Sequence, residues 1–210
     1  HVDRTETYPL TEGETASGNI SLIARSASQT LDADDGGEVT NAEGAAIDVP
    51  GGGLVDSNGD PISGDVDVSL TYLDVSDKDQ RDAAPGDWSA RQEDGSSAEL
   101  ESYGVLEVFI DDGTGAEADL AAGESGEITI PIPANVQDSA DETMGLYSFD
   151  EDTGEWVEEG ELTINEDGDA YTGTVDHFST WNADKPMETV CYRVQVLDAD
   201  GDPVANAAVR

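Results

Sequence analysis

Nine consecutive residues, Asp65–Leu73, repeat with a period of two. Val66, Val68, Leu70 and Tyr72 alternate with Asp65, Asp67, Ser69 and Thr71. Side chains on a strand point alternately to opposite faces, so this spacing predicts a strand with one buried and one wet face. Shorter versions recur at Ala45–Val49, Leu54-Val55, Val105–Ile110, Glu127–Ile132, Met144–Phe149, Trp156-Val157, Glu161–Ile164 and Tyr171–Val175. Ile20, Leu22 and Ala24 suggest a first strand. Between these runs lie turns rich in Asp, Asn and Gly: Asp32–Gly37, Asp56–Asp60, Asp111–Gly115, Asp150–Gly154 and Asn165–Asp169. No stretch carries a 3.6-residue apolar period. Many short strands with such turns predict an all-β chain, an antiparallel β-sandwich. Pro131 and Pro133 place the strand at Glu127–Ile132 on a sheet edge, because proline cannot donate to a ladder.

The charge constrains the surface. Forty-nine acidic residues face eight basic ones, a net charge of −41. Disorder follows from high charge with low hydrophobicity, but disordered chains lack the alternation seen here. The alternative is an acidic surface adapted to concentrated salt, where a Debye length of about 3 Å at 1 M screens self-repulsion. Lysine is confined to Lys78 and Lys185, while Asp and small residues abound, as in proteins of extreme halophiles. Such a charge argues against nucleic acid or anionic membranes as partners.

Three parts are expected: an irregular lead-in or linker at 1–18, a β-sandwich at 19–184, and the opening of a second β module at 187–210. Lys185-Pro186 marks the boundary. Val190–Leu197 and Val204–Val209 read as a hairpin too small to fold alone, so the second β-sandwich module is partial. The chain is therefore expected to be a piece of a longer protein. No apolar run approaches the roughly 20 residues needed to span a bilayer. Cys191 is the one cysteine and is expected as a buried apolar thiol, without disulfide or zinc partner. Asn19-Ile20-Ser21 fits the N-glycosylation pattern.

Four segments in order carry a resemblance. They are Ile47-Asp48-Val49-Pro50 with Gly53, Asp60–Val66, Leu146–Asp150 with Gly154-Glu155-Trp156, and His177-Phe178-Ser179-Thr180-Trp181-Asn182. Together they resemble a secreted β-rich module of cartilage intermediate layer proteins and of many prokaryotic surface proteins. The first two also resemble ZU5-type domains. The resemblance covers roughly residues 45–184. Residues 190–209 look like the start of a carboxypeptidase regulatory-like or transthyretin-like β-sandwich. The resemblance implies a non-enzymatic structural or adhesion module at the cell surface or outside the cell. Its expected partners are other domains of the same chain and surface glycans or proteins. It brings no established metal or catalytic set.

Several residues carry chemical hypotheses. Some ZU5-containing proteins cut themselves within His-Phe-Ser. Here His177 would act as general base while the Ser179 hydroxyl attacks the Phe178 carbonyl, giving an ester that water splits. Against this, His177, Trp156 and Trp181 read as structural residues locking the last strands to the core. Calcium is a candidate cofactor at Asp198, Asp200 and Asp202, although Pro203 follows and no Glu closes the loop. Trp88 lies in the weakly patterned Asp74–Ser97 stretch and is either a plug over the core or an exposed ligand-binding ring for sugars. No phosphate loop and no nucleophile elbow is present.

Overall fold

A computed structural model describes residues 21–187. Its strands are β1 (Gln29–Asp32), β2 (Gly36–Thr40), β3 (Ala46–Pro50), β4 (Leu54–Val55), β5 (Asp65–Leu73), β6 (Ser89–Arg91) and β7 (Ser97–Asp111). There follow β8 (Asp119–Leu120), β9 (Gly126–Pro131), β10 (Thr143–Asp150), β11 (Glu155–Ile164), β12 (Ala170–Val175) and β13 (Thr180–Pro186). One single-turn helix, α1 (Lys78–Arg81), and a 3-10 turn at Gln137–Ser139 complete the described residues. The all-β prediction holds.

The large sheet runs β1-β5-β7-β13-β10-β11-β12-β9-β3-β2, with β6 joining β7 and β11 to the side. Its two ends, β1 and β2, are joined by only residues 33–35. A sheet whose terminal strands are three residues apart must fold back on itself. β11 makes the corner: it pairs with β10 from Glu155 to Thr163, and only its last two residues, Thr163 and Ile164, pair with β12. The halves approach closely where β7 faces β9. A side chain at Gly104 would put its Cβ 2.8 Å from the Pro131 carbonyl oxygen, so glycine is required there. A small sheet, β4 with β8, buries Leu54 and Leu120 against one end of this core.

Two apolar clusters result. The main one lies inside the folded sheet and includes Ile47, Val68, Leu106, Ile128, Leu146, Tyr171 and Trp181. The second lies on the outer face of β5, β7, β10 and β11, under the Asp74–Ser97 stretch, and includes Leu73, Val105, Tyr147, Phe149 and Trp156. That stretch is more ordered than its sequence predicts. Asp77 caps α1 by accepting from Asp79 N and Gln80 N, and β6 runs parallel to β11 at Trp156 and Val157.

The structure adds five strands that the sequence pattern did not predict, β1, β2, β6, β8 and β13, and departs from the predictions at four further places. Residues 21–28 form no strand, and Leu22 is exposed. They cross the outer face of the sheet instead. Arg25 stacks on the Phe109 ring and pairs with the Glu107 carboxylate at 2.9 Å, while Ser26 N donates to the Thr71 hydroxyl. This strap explains the second difference: Ser69 and Thr71, expected wet, are buried. Third, β9 is an interior strand between β12 and β3. Pro131 is tolerated because β3 stops pairing at Thr129, leaving no ladder bond for proline to miss. Fourth, Trp156-Val157 and Glu161–Ile164 belong to one strand, β11, interrupted by a bulge opposite Leu146 and Tyr147.

Candidate functional site

The Asp turns come first, because they account for several of the acidic side chains. Asp56 Oδ1 accepts from Asn58 N and Asp60 N, and Asp150 Oδ1 from Asp152 N and Thr153 N. Asp94 accepts from Ser96 N, Asp112 from Thr114 N, and Asn165 Oδ1 from Asp169 N. Hydrogen bonding to the ionised form holds the carboxyls of Asp56, Asp94, Asp112 and Asp150 below the usual range. These carboxylates shape their own turns. Asp198, Asp200, Asp202, Cys191 and the expected second module lie outside the described residues, as do 1–18 and Asn19.

The connection between β12 and β13 gathers the richest chemistry. β12 ends at Val175, and Asp176-His177-Phe178-Ser179 lead into β13. The loop is pinned from two sides. Asp119 of β8 accepts from Phe178 N at 2.8 Å, and Val108 N of β7 donates to Ser179 O at 3.0 Å. Phe178 is buried in the main core. The His177 ring lies 4.8 Å from the Trp181 ring, which is itself buried.

His177 Nε2 sits 2.8 Å from Glu159 Oε2. Glu159 gets there through the β11 bulge. Tyr147 pairs with Glu158 and Leu146 with Gly160, so Glu159 is skipped and leaves the alternation. The Ser148 hydroxyl donates to its other oxygen at 2.6 Å, fixing the carboxylate. Burial works to lower the His177 pKa, but the Glu159 hydrogen bond and charge outweigh it, so the net shift is upward. Asp176 adds a carboxylate, and one ligating atom each from Glu159, Asp176 and His177 lies within 4.8 Å of the others.

The residues singled out in the sequence fall into three places. His177 and Trp181 share this rim of the main core. Ser179 lies on the wall of a 240 Å³ cavity with Arg25, Glu107 and Glu117. His177 Nδ1 is 3.4 Å from the Phe178 carbonyl oxygen, and among the described residues no hydrogen bond joins His177 to the Ser179 hydroxyl. Trp156, fully buried, and Trp88, half-buried, belong to the second cluster, where their rings stack at 6.2 Å with a 12° interplanar angle. One face of Trp88 is thus covered by Trp156. Glu159 and Asp176 were missed in the sequence. Asp176 was legible as the neighbour of the one internal histidine; Glu159 needed the bulge.

The chain is similar to cartilage intermediate layer proteins. It is 30% identical to mouse cartilage intermediate layer protein 1 over 135 residues, 60% of this chain and 11% of that protein. With the human protein 1 it shares 28% over 172 residues, 77% of this chain and 14% of the other. With the mouse protein 2 it shares 30% over 155 residues, 67% of this chain and 12% of the other. The matched stretch therefore spans less than a sixth of each of these relatives. No family model and no solved structure matches the chain.

Proposed function

We propose that this chain is a non-enzymatic structural or adhesion module of a secreted or cell-surface multidomain protein adapted to high salt. The similarity to cartilage intermediate layer proteins carries the reading. The doubled core supports it, since a spacer needs a stiff body more than a cleft. Its partners are neighbouring domains of the same chain and surface glycans or proteins. Treating intact source cells with an external protease tests the location. Digestion of the chain while cytoplasmic markers survive is expected; protection of the chain would overturn it.

The halophilic part of the proposal rests on the net charge of −41 and has its own test. Dilution from molar salt to about 0.1 M lengthens the screening distance to about 10 Å, so surface carboxylates repel one another across neighbouring turns. Loss of the β signal in circular dichroism is expected on dilution. A fold that persists unchanged would remove the adaptation to salt.

One contact favours a second reading, self-cleavage between Phe178 and Ser179: His177 Nδ1 lies beside the oxygen of the carbonyl whose carbon would be attacked. Ser179 Oγ would bond to the Phe178 carbonyl carbon, the C–N bond would break with the amine taking the proton, and water would split the ester. β13 is held on both sides by β7 and β10, so the two pieces would stay together in the folded state. The intact mass must therefore be read after denaturation. A single full-length mass is expected under the structural proposal. Two masses meeting at Phe178 and Ser179, abolished by Ser179→Ala, would establish cleavage instead.

A further inference from the structure

We propose that Glu159, Asp176 and His177 form a binding site for one divalent transition-metal ion of the zinc type. This goes beyond the structural role. The donor set is one imidazole and two carboxylates, drawn from the β11 bulge and the β12–β13 connection. Imidazole selects borderline metals over calcium and magnesium, which prefer all-oxygen shells.

The geometry suits such an ion. Zinc holds nitrogen and oxygen ligands at about 2.0–2.2 Å in a tetrahedron, which puts neighbouring ligand atoms about 3.3–3.6 Å apart. His177 Nε2 and Glu159 Oε2 stand at 2.8 Å, so the pair has to open by roughly half an ångström to take the ion between them. Asp176 is exposed on a bend, so its side chain is free to close the remaining distance. Supporting contacts are those a metal histidine uses. Nε2 carries a proton toward the Glu159 carboxylate, which an ion would replace, while the long Nδ1 contact to the Phe178 carbonyl oxygen, a pure acceptor, gives the remaining ring proton a place on Nδ1. Ser148 holds the far oxygen of Glu159. Asp119 fixes the loop backbone through Phe178 N.

A second observation points to a ligand at this place. Glu159 and Asp176 line a 230 Å³ cavity together with Leu146, Thr174, Val175 and Trp181. Trp181 is 1% exposed, and its indole Nε1 has no hydrogen-bond partner. Orphaned buried donors are costly and rare. Three protein ligands leave a fourth position on the ion open.

Calorimetric titration of the chain with zinc chloride, in molar sodium chloride with magnesium and calcium in excess, tests this. One saturable site is expected. His177→Gln and Asp176→Asn should each weaken it at least tenfold, while Asp167→Asn, an exposed turn residue, should leave it unchanged. Cobalt should also quench tryptophan emission, because Trp181 lies against His177, and His177→Gln should remove that quenching. Absence of saturable heat overturns the proposal. So does unchanged affinity in His177→Gln, which would assign the metal to His1, Cys191 or scattered carboxylates. Should His177→Gln fail to fold, Asp176→Asn decides, since its side chain supports no core contact.

Discussion

Asp184→Asn makes the domain more stable than the native sequence at neutral pH, and the gap closes in acid. Asp184 lies on β13 between β7 and β10 and is fully buried. Oδ2 accepts from the Asn182 amide, whose own oxygen accepts from the Ser102 hydroxyl at 2.6 Å, but Oδ1 has no partner. Burial raises the Asp184 pKa well above 3.8, and the nearby Ser102 hydroxyl offsets it only in part. The folded state therefore holds this proton to a higher pH than the unfolded chain does. Below the ordinary value of 3.8 both folded and unfolded chains hold the proton, and Asp184 costs nothing. Above it the unfolded chain releases the proton while the folded one retains it. Stability then falls with rising pH by about 1.4 kcal/mol per unit until the folded group ionises. Asparagine has no proton to lose and keeps the shape. Urea unfolding of both proteins across the range from acid to neutral, in molar salt, should give curves that diverge as pH rises. Curves that stay parallel would show that Asp184 is not a neutral acid in the fold.

Trp156→Ala should cost about 3–5 kcal/mol, a large part of the roughly 5–15 kcal/mol that holds a domain of this size together. The indole is fully buried, edge-on to Phe149 at 5.2 Å and stacked on Trp88. Its loss leaves a cavity on which Leu73, Val105 and Tyr147 must collapse. Trp88→Ala should cost only about 1 kcal/mol, because that ring is half exposed and lies on a loop. Equal costs for the two would mean that the loop, rather than the sheet, organises the second cluster. Equilibrium unfolding measures both, and near-ultraviolet circular dichroism reports whether the stacked pair is lost.

The sequence carried the strands better than their surroundings. Asp65–Leu73 was legible because its alternation is local to nine residues. The burial of Ser69 and Thr71 was not, because the strap carrying Arg25 and Ser26 lies more than forty residues earlier in the chain. Pro131 pointed to an edge because proline bars a ladder bond, yet the bar applies only where a partner strand is present, and β3 has ended there. The site divides in the same way. Asp176 and His177 are adjacent in sequence. Glu159 joins them through one extra residue in β11, and a bulge leaves no mark on an acidic stretch reading Glu158-Glu159-Gly160-Glu161.

β13, the last strand described, is hydrogen-bonded between β7 and β10 in the interior of the large sheet. A growing chain thus reaches residue 180 with the seat for that strand still open. Neither cluster can close before then, since Trp181 belongs to one and the Asn182 and Asp184 positions border the other. Completion of the fold is set by β13 rather than by the strands before it, and such non-local pairing is slow.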